Sequence, residues 1–144
     1  MIELHGVCRR YPMSGQVVRA LDGVDLHIGR GEYLAITGAS GSGKSTLLNL
    51  LGCLDRPDEG RYLLDGTDVA GLDDEQLSAT RNQRIGFVFQ SFHLLPRLSV
   101  LENVLLPRRY CSEPDPQAEQ RARDLLDRVG LGERWAHRPL ELSG

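Results

Sequence analysis

The stretch Gly38-Ala39-Ser40-Gly41-Ser42-Gly43-Lys44-Ser45-Thr46 narrows the possible folds more than any other part of the chain. Gly38 and Gly43, with four residues between them, are followed at once by Lys and Ser, the spacing of a phosphate-binding loop. A polyphosphate is held by converging backbone N–H groups, so the chain must wrap closely around it, and glycines permit both the approach and the dihedrals. A helix that begins at the loop adds its unpaired N–H groups and the positive end of its dipole. In that arrangement Lys44 places a compact charge on the outer phosphates, and the Ser45 hydroxyl is the expected ligand of Mg²⁺. The flanks fit. Tyr33-Leu34-Ala35-Ile36-Thr37 is a short apolar run expected to form a buried parallel strand. Ser45 to Leu51 contains good helix formers and no breaker. The basic residues add a hint of their own, because Lys44 is the single lysine among the chain's seventeen Lys and Arg residues. A planar guanidinium is too broad for a cradle shaped around a point charge.

Composition sets the outer bounds. With 144 residues, 40% apolar and 26% charged, the chain can build one domain with a core. Its net charge of −3 gives no basic footprint for nucleic acid or anionic lipid, so no nucleic-acid partner is expected. The longest apolar candidate, Leu47 to Leu54, is broken by Asn49 and Gly52 and is far too short to cross a membrane. The amino terminus lacks the basic and apolar pattern of a signal peptide. Cys8, Cys53 and Cys111 have neither disulfide nor metal spacing, and the four histidines are scattered. A soluble cytoplasmic domain is expected.

Residues 2–11 and 17–28 read as half-exposed antiparallel strands. Arg61–Asp65 and Thr67–Val69 read as a hairpin turning at Asp65-Gly66. Asp73 with Gln76, and Ser99 with Glu102, have the spacing of capping boxes, predicting helices through about Gln83 and over 100–106. Ile85-Gly86-Phe87-Val88-Phe89 reads as a second buried strand, ending at Gln90. Asp115-Pro116 predicts a helix start, with Ala118, Ala122, Leu125, Leu126 and Val129 on one buried face and Gly130 at its end.

This order, from phosphate loop to an apolar strand ending in Gln, a helical insert and a final Leu142-Ser143-Gly144, resembles the nucleotide-binding domain of ABC transporters over all 144 residues. Gly38–Thr46 corresponds to that family's Walker A motif, Gln90 to its Q-loop glutamine, and Leu142, Ser143 and Gly144 to the opening of its LSGGQ signature. Tyr11 lies where the family has an aromatic that stacks on adenine. Leu51-Gly52-Cys53-Leu54-Asp55 and Phe92-His93-Leu94-Leu95 look most like the macrolide-exporter and lipoprotein-releasing branch. The resemblance implies an α/β fold: a P-loop NTPase core of the ABC ATPase type, with an antiparallel β layer, a helical subdomain and the carboxy-terminal part of the core missing. The layer takes residues 1–30 and 60–70, the core 31–56 and 84–90, and the helical subdomain 91–144.

The implied chemistry is hydrolysis of ATP with Mg²⁺. Lys44 and Gln90 are the catalytic candidates, Ser45 and Gln90 the Mg²⁺ ligands, and Tyr11, residues 38–46 and Gln90 the cofactor contacts. The implied partners are a second copy of the domain, whose signature helix reaches the γ-phosphate, and a membrane permease. The expected location is therefore the inner face of the cell membrane. The family pattern continues with a Walker B Asp, a catalytic Glu and a switch His that these residues do not include. The chain is accordingly expected to be an amino-terminal part of a longer protein, inactive alone. A nucleotide-binding module without hydrolysis and a P-loop NTPase unrelated to transport remain open. A GTPase does not fit, because the Asn-Lys-x-Asp guanine motif needs a lysine other than Lys44.

Overall fold

Two long strands begin the chain, β1 (Ile2–Met13) and β2 (Gln16–Ile28). They pair antiparallel from Met13 opposite Gln16 to Ile2 opposite Ile28, with bulges between Leu4 and Val7 and around Arg9. A computed structural model describes residues 1–13, 15–90, 93–111 and 113–142. After the phosphate loop comes α1 (Lys44–Leu51), followed by β3 (Glu59–Leu64) and the short β4 (Thr67–Asp68). The sheet order is β2-β1-β3-β4, antiparallel throughout, so the first strand lies inside the sheet. The β3–β4 corner is Asp65-Gly66 with both φ angles positive, +47° and +80°. That is the tight turn whose twist matches a hairpin.

One core gathers under this sheet. Leu4, Val7, Leu21, Tyr62 and Leu64 from the strands bury against Leu50 and Cys53, with Val69 and Leu77 closing the cluster. Tyr62 is buried, and its hydroxyl donates to the Leu51 carbonyl at 2.7 Å. That carbonyl belongs to the last turn of α1, where no intrahelical partner exists, so β3 supplies the acceptor's missing donor. Helix α2 (Asp74–Arg84) follows, with both halves of the Asp73–Gln76 capping box made.

The chain divides into two compact units, residues 1–85 and 86–144. The second is helical. Helix α3 (Val100–Leu105) starts at the Ser99–Glu102 capping box and runs into a 3₁₀ turn at Leu106–Tyr110. Helix α4 (Ala118–Arg128) packs Ala122 and Leu126 on Val100 and Leu101. Two short 3₁₀ turns, Gly132–Arg134 and Pro139–Glu141, follow. Leu131 donates to the Leu126 carbonyl and Gly130 to that of Asp127, the paired bonds that close a helix ending in a left-handed glycine.

Three expectations need correction. Neither 33–37 nor 85–89 forms a strand in a sheet among the described residues, and neither is buried throughout. Tyr33 is 93% exposed and Val88 fully so. A strand that is apolar on both faces is stable only when neighbours pair its edges and cover its faces, and no described strand lies parallel to either segment. Helix α4 begins at Ala118 rather than at Pro116, because Asp115 turns its carboxylate onto the Gln117 N–H and pairs with Arg121. Leu125 and Val129, expected on its buried face, are exposed, so the buried stripe narrows to Ala122 and Leu126.

Candidate functional site

The loop from Gly38 to Gly43 has no regular structure until α1 begins, and Gly43 at φ +88° is the residue that turns it into the helix. A Cβ at Gly43 would collide with the Ala20 carbonyl of β2 and meet Leu21 Cδ2 at 3.4 Å. The helix therefore starts hard against the strand ribbon, at a distance that only glycine allows. The first intrahelical bond is from the Leu47 N–H to the Gly43 carbonyl. Ahead of it, the N–H groups of the first turn have no intrahelical acceptor, no side chain caps them, and no acidic residue stands in that turn.

Lys44 folds back over the loop. Its Nζ donates to the carbonyls of Gly38 at 2.9 Å and Ala39 at 2.6 Å, and to Ser42 Oγ at 3.4 Å. Among the described residues every ion pair uses an arginine, a histidine or the amino terminus, and none uses Lys44. The ammonium thus sits beside an uncapped helix start with only dipolar partners. Gly41, Gly43, Lys44, Ser45 and Thr46 line a cleft of about 200 Å³ together with Val18, Arg19 and Ala20 of β2. The donor set suits a polyanion. The exposed Ser45, second residue of α1, offers its hydroxyl to a hard cation at the same place, so the residues fit a nucleotide carrying Mg²⁺.

Tyr11 stands opposite Val18 in the β1–β2 ladder, and Val18 is a wall of this cleft. Directly opposed residues share one face of a sheet, which puts Tyr11 beside the cleft rather than in its lining. Its surroundings were not legible in the sequence. The Tyr11 hydroxyl donates to Asp55 Oδ2 at 2.6 Å, and the Arg9 guanidinium lies over the ring, 4.8 Å from its centroid. Arg9 also forks onto Asp55, with Nε to Oδ2 at 2.9 Å and Nη2 to Oδ1 at 2.7 Å, and reaches Asp58 with Nη1 at 2.7 Å. The Arg10 and Arg56 N–H groups complete the shells of Asp58 and Asp55. Burial alone would raise the Asp55 carboxyl, but the bonds from Tyr11, Arg56 and Arg9 outweigh it and hold the group below its ordinary range. Burial alone would lower the Arg9 guanidinium, but Tyr11, Asp55 and Asp58 outweigh it and hold the group above its ordinary range. The only sequence signal for this cluster was an acid-rich turn, Asp55 to Glu59, facing an Arg-Arg-Tyr run.

Gln90 is exposed and belongs to the second unit, just after Phe89. Phe87 and Phe89 stack in parallel, centroids 5.3 Å apart, as alternate residues on one side of an extended segment do. Leu142 packs at the edge of the α3–α4 core. Ser143 and Gly144, the other two signature candidates, lie outside the described residues, as does Phe92.

The family profile described as "ABC transporter" matches residues 21–144. The chain belongs to the ABC transporter family. It is 52% identical, over its whole length, to a macrolide export ATP-binding/permease protein, MacB 1/2, of Paracoccus denitrificans, and covers 22% of that protein. It is 51% identical to an ABC transporter ATP-binding protein of Thermotoga maritima, covering 62% of it. Among solved structures, a dimeric bacterial ABC transporter cassette, MJ0796, superposes with a TM-score of 0.85 at 44% identity, over 100% of this chain and 64% of that one. The same cassette in a dimeric post-hydrolysis state bound to ADP and Pi gives 0.85 at 43% identity. The chain thus spans between about a fifth and two thirds of the ABC proteins it matches. Its fold is that of the ABC ATPase cassettes.

Proposed function

We propose that residues 38–46 bind the phosphates of ATP and that the full-length protein couples ATP binding and hydrolysis to transport or extraction of a substrate at a membrane. One observation carries the reading. The chain's single lysine, which has no carboxylate partner among the described residues, is folded onto a glycine loop at the uncapped start of α1. Gly38, Ala39, Ser40, Gly41, Ser42 and Gly43 would give backbone donors, Lys44 the charge, and Ser45 with Thr46 hydroxyls. Mg²⁺, when bound, neutralises charge on the outer phosphate oxygens. In this reading the Ser45 hydroxyl holds it, and Gln90 keeps the role that the family resemblance gives it, open to a side chain with both a donor and an acceptor. Tyr11 takes the adenine on its ring face.

The relatives support the wider setting. A cassette of the same fold is described as a dimer with ADP and Pi, and a relative is described as an ATP-binding/permease protein. We therefore read Leu142, Ser143 and Gly144 as the start of a segment that reaches nucleotide held by a second copy. A permease in the membrane is the part that moves, with the cassette peripheral on its cytoplasmic side. In this reading residues 1–30 and 60–70 form the β layer, 31–56 and 84–90 the nucleotide core, and 91–144 the helical subdomain. Residues 1–144 alone bind nucleotide without turning it over, because the acidic residues that would position water are not among them; robust Mg²⁺-dependent ATPase activity of this stretch would overturn that. Titration of a Lys44→Ala variant with ATP tests the cradle: at least a tenfold loss of affinity is expected, and unchanged affinity refutes it.

A further inference from the structure

The tyrosine beside the cleft is held by an unusual number of charged groups. A tyrosine on an exposed ribbon ordinarily keeps rotamer freedom, and a ligand that stacks on it must pay for ordering it. Tyr11 has lost that freedom already. Its hydroxyl is tied to a carboxylate at 2.6 Å, within the range of a charge-assisted O–H···O⁻ bond. One ring face carries the Arg9 guanidinium. Arg9 is itself immobile, forked on Asp55 and held by Asp58, with its side chain about one fifth exposed.

The cluster is poorly suited to binding an anion directly. Arg9 faces two carboxylates, and its neighbour Arg10 is paired with Glu59 at 2.8 Å, so positive charge is spent within the cluster. It is equally poorly suited to a cation, since both carboxylates are already filled by guanidinium and N–H donors. What it fixes is the ring. The backbone places that ring on the face it shares with Val18, which lines the phosphate-loop cleft.

We infer that Arg9 and Asp55 are positioning residues for nucleotide recognition: they lock the Tyr11 ring so that the face opposite Arg9 is a preformed platform for the base. The inference rests on the reading of Tyr11 as the base-stacking residue. It adds that affinity for the base depends on two residues that never touch it. Arg9 also polarises the ring from behind, drawing electron density from the face offered to the base.

Binding of ATP and of inorganic tripolyphosphate to the full-length protein, with Mg²⁺, separates the possibilities, because tripolyphosphate has no base. Tyr11→Phe keeps the ring and removes only its tie, and Asp55→Asn weakens the tie from the other side. Each is expected to weaken ATP about 3- to 10-fold, the cost of ordering one freed side chain, while leaving tripolyphosphate within about twofold. The Tyr11→Phe/Asp55→Asn double variant is expected to be no weaker than the weaker single one. If Tyr11→Ala weakens ATP but Tyr11→Phe and Asp55→Asn do not, the platform stands and the positioning role is refuted. If Tyr11→Ala itself leaves ATP unchanged, the platform reading fails and the positioning role with it. Equal losses for ATP and tripolyphosphate would show a cluster that only holds the fold, and would overturn the inference. Tyr11→Phe leaves the Arg9–Asp55 pair intact, so it remains informative if Asp55→Asn folds poorly.

Discussion

Replacing Gly43 by alanine tests whether the loop owes its shape to the strand behind it. Two costs are separable there. The backbone stands at φ +88°, where an L side chain costs roughly 1–2 kcal/mol. The added methyl would also collide with the Ala20 carbonyl, a backbone atom of β2 that cannot swing aside. Relieving such an overlap by backbone shifts costs roughly 1–3 kcal/mol more. The sum, about 2–5 kcal/mol, corresponds to a fall in Tm of about 5–15 °C for a chain of this size. Gly41 is the control, since its φ is +76° but a methyl there meets nothing within 4 Å. Gly41→Ala should therefore cost only the backbone part, about 2–6 °C. Thermal unfolding of the two variants, followed by ATP titration of each at a temperature where both are folded, completes the assay. Gly43→Ala should also lose most nucleotide affinity, because α1 must retreat from β2 and carries Lys44 with it. Equal Tm values for the two variants would refute the claim that contact with β2 sets the loop.

Tyr62→Phe should destabilise the protein by about 1–2 kcal/mol in urea denaturation, because it leaves the Leu51 carbonyl without its donor; no change would mean that water replaces the hydroxyl. Acid should act partly through Asp55. Its folded pKa is depressed, so the folded state binds fewer protons there than the unfolded one. Its stabilisation is full above the unfolded value of about 3.9 and fades as pH falls through the folded value. Urea midpoints followed from pH 7 to pH 3 should then fall less steeply for Asp55→Asn than for the parent protein, and parallel curves would remove Asp55 from the acid response.

The features legible in the sequence are those whose causes lie within a few residues. Asp73 and Gln76, like Ser99 and Glu102, satisfy each other's neighbouring N–H groups across three positions, so the capping boxes could be read directly. The Asp65-Gly66 corner and the order of glycine loop and helix are equally local. Burial is not. The runs at 33–37 and 85–89 have the composition of core strands, but a run's hydrophobicity states what it needs, and pairing depends on a neighbour elsewhere. The Arg9–Tyr11–Asp55 cluster joins residues more than forty positions apart, brought together because β1 accepts β3 as its second partner. No periodicity in either segment announces it. The narrow buried stripe of α4 shows the same limit in miniature, since Leu125 and Val129 follow the helical period and still stay exposed.

The inner position of β1 has a consequence for how the chain is made. Its first partner, β2, follows within a few residues of leaving the ribosome, but an isolated two-stranded ribbon is marginal in water. The side chains that cover Leu4, Val7 and Leu21 come from Leu50 through Leu77, on the far side of the glycine loop. At roughly 5–20 residues per second, the apolar face of the ribbon waits several seconds for its cover. During that interval α1 is already outside the ribosome without the Tyr62 hydroxyl that bonds its last carbonyl. A pause in translation between β2 and α2 would lengthen the wait, and the nascent ribbon is where a chaperone would be needed first.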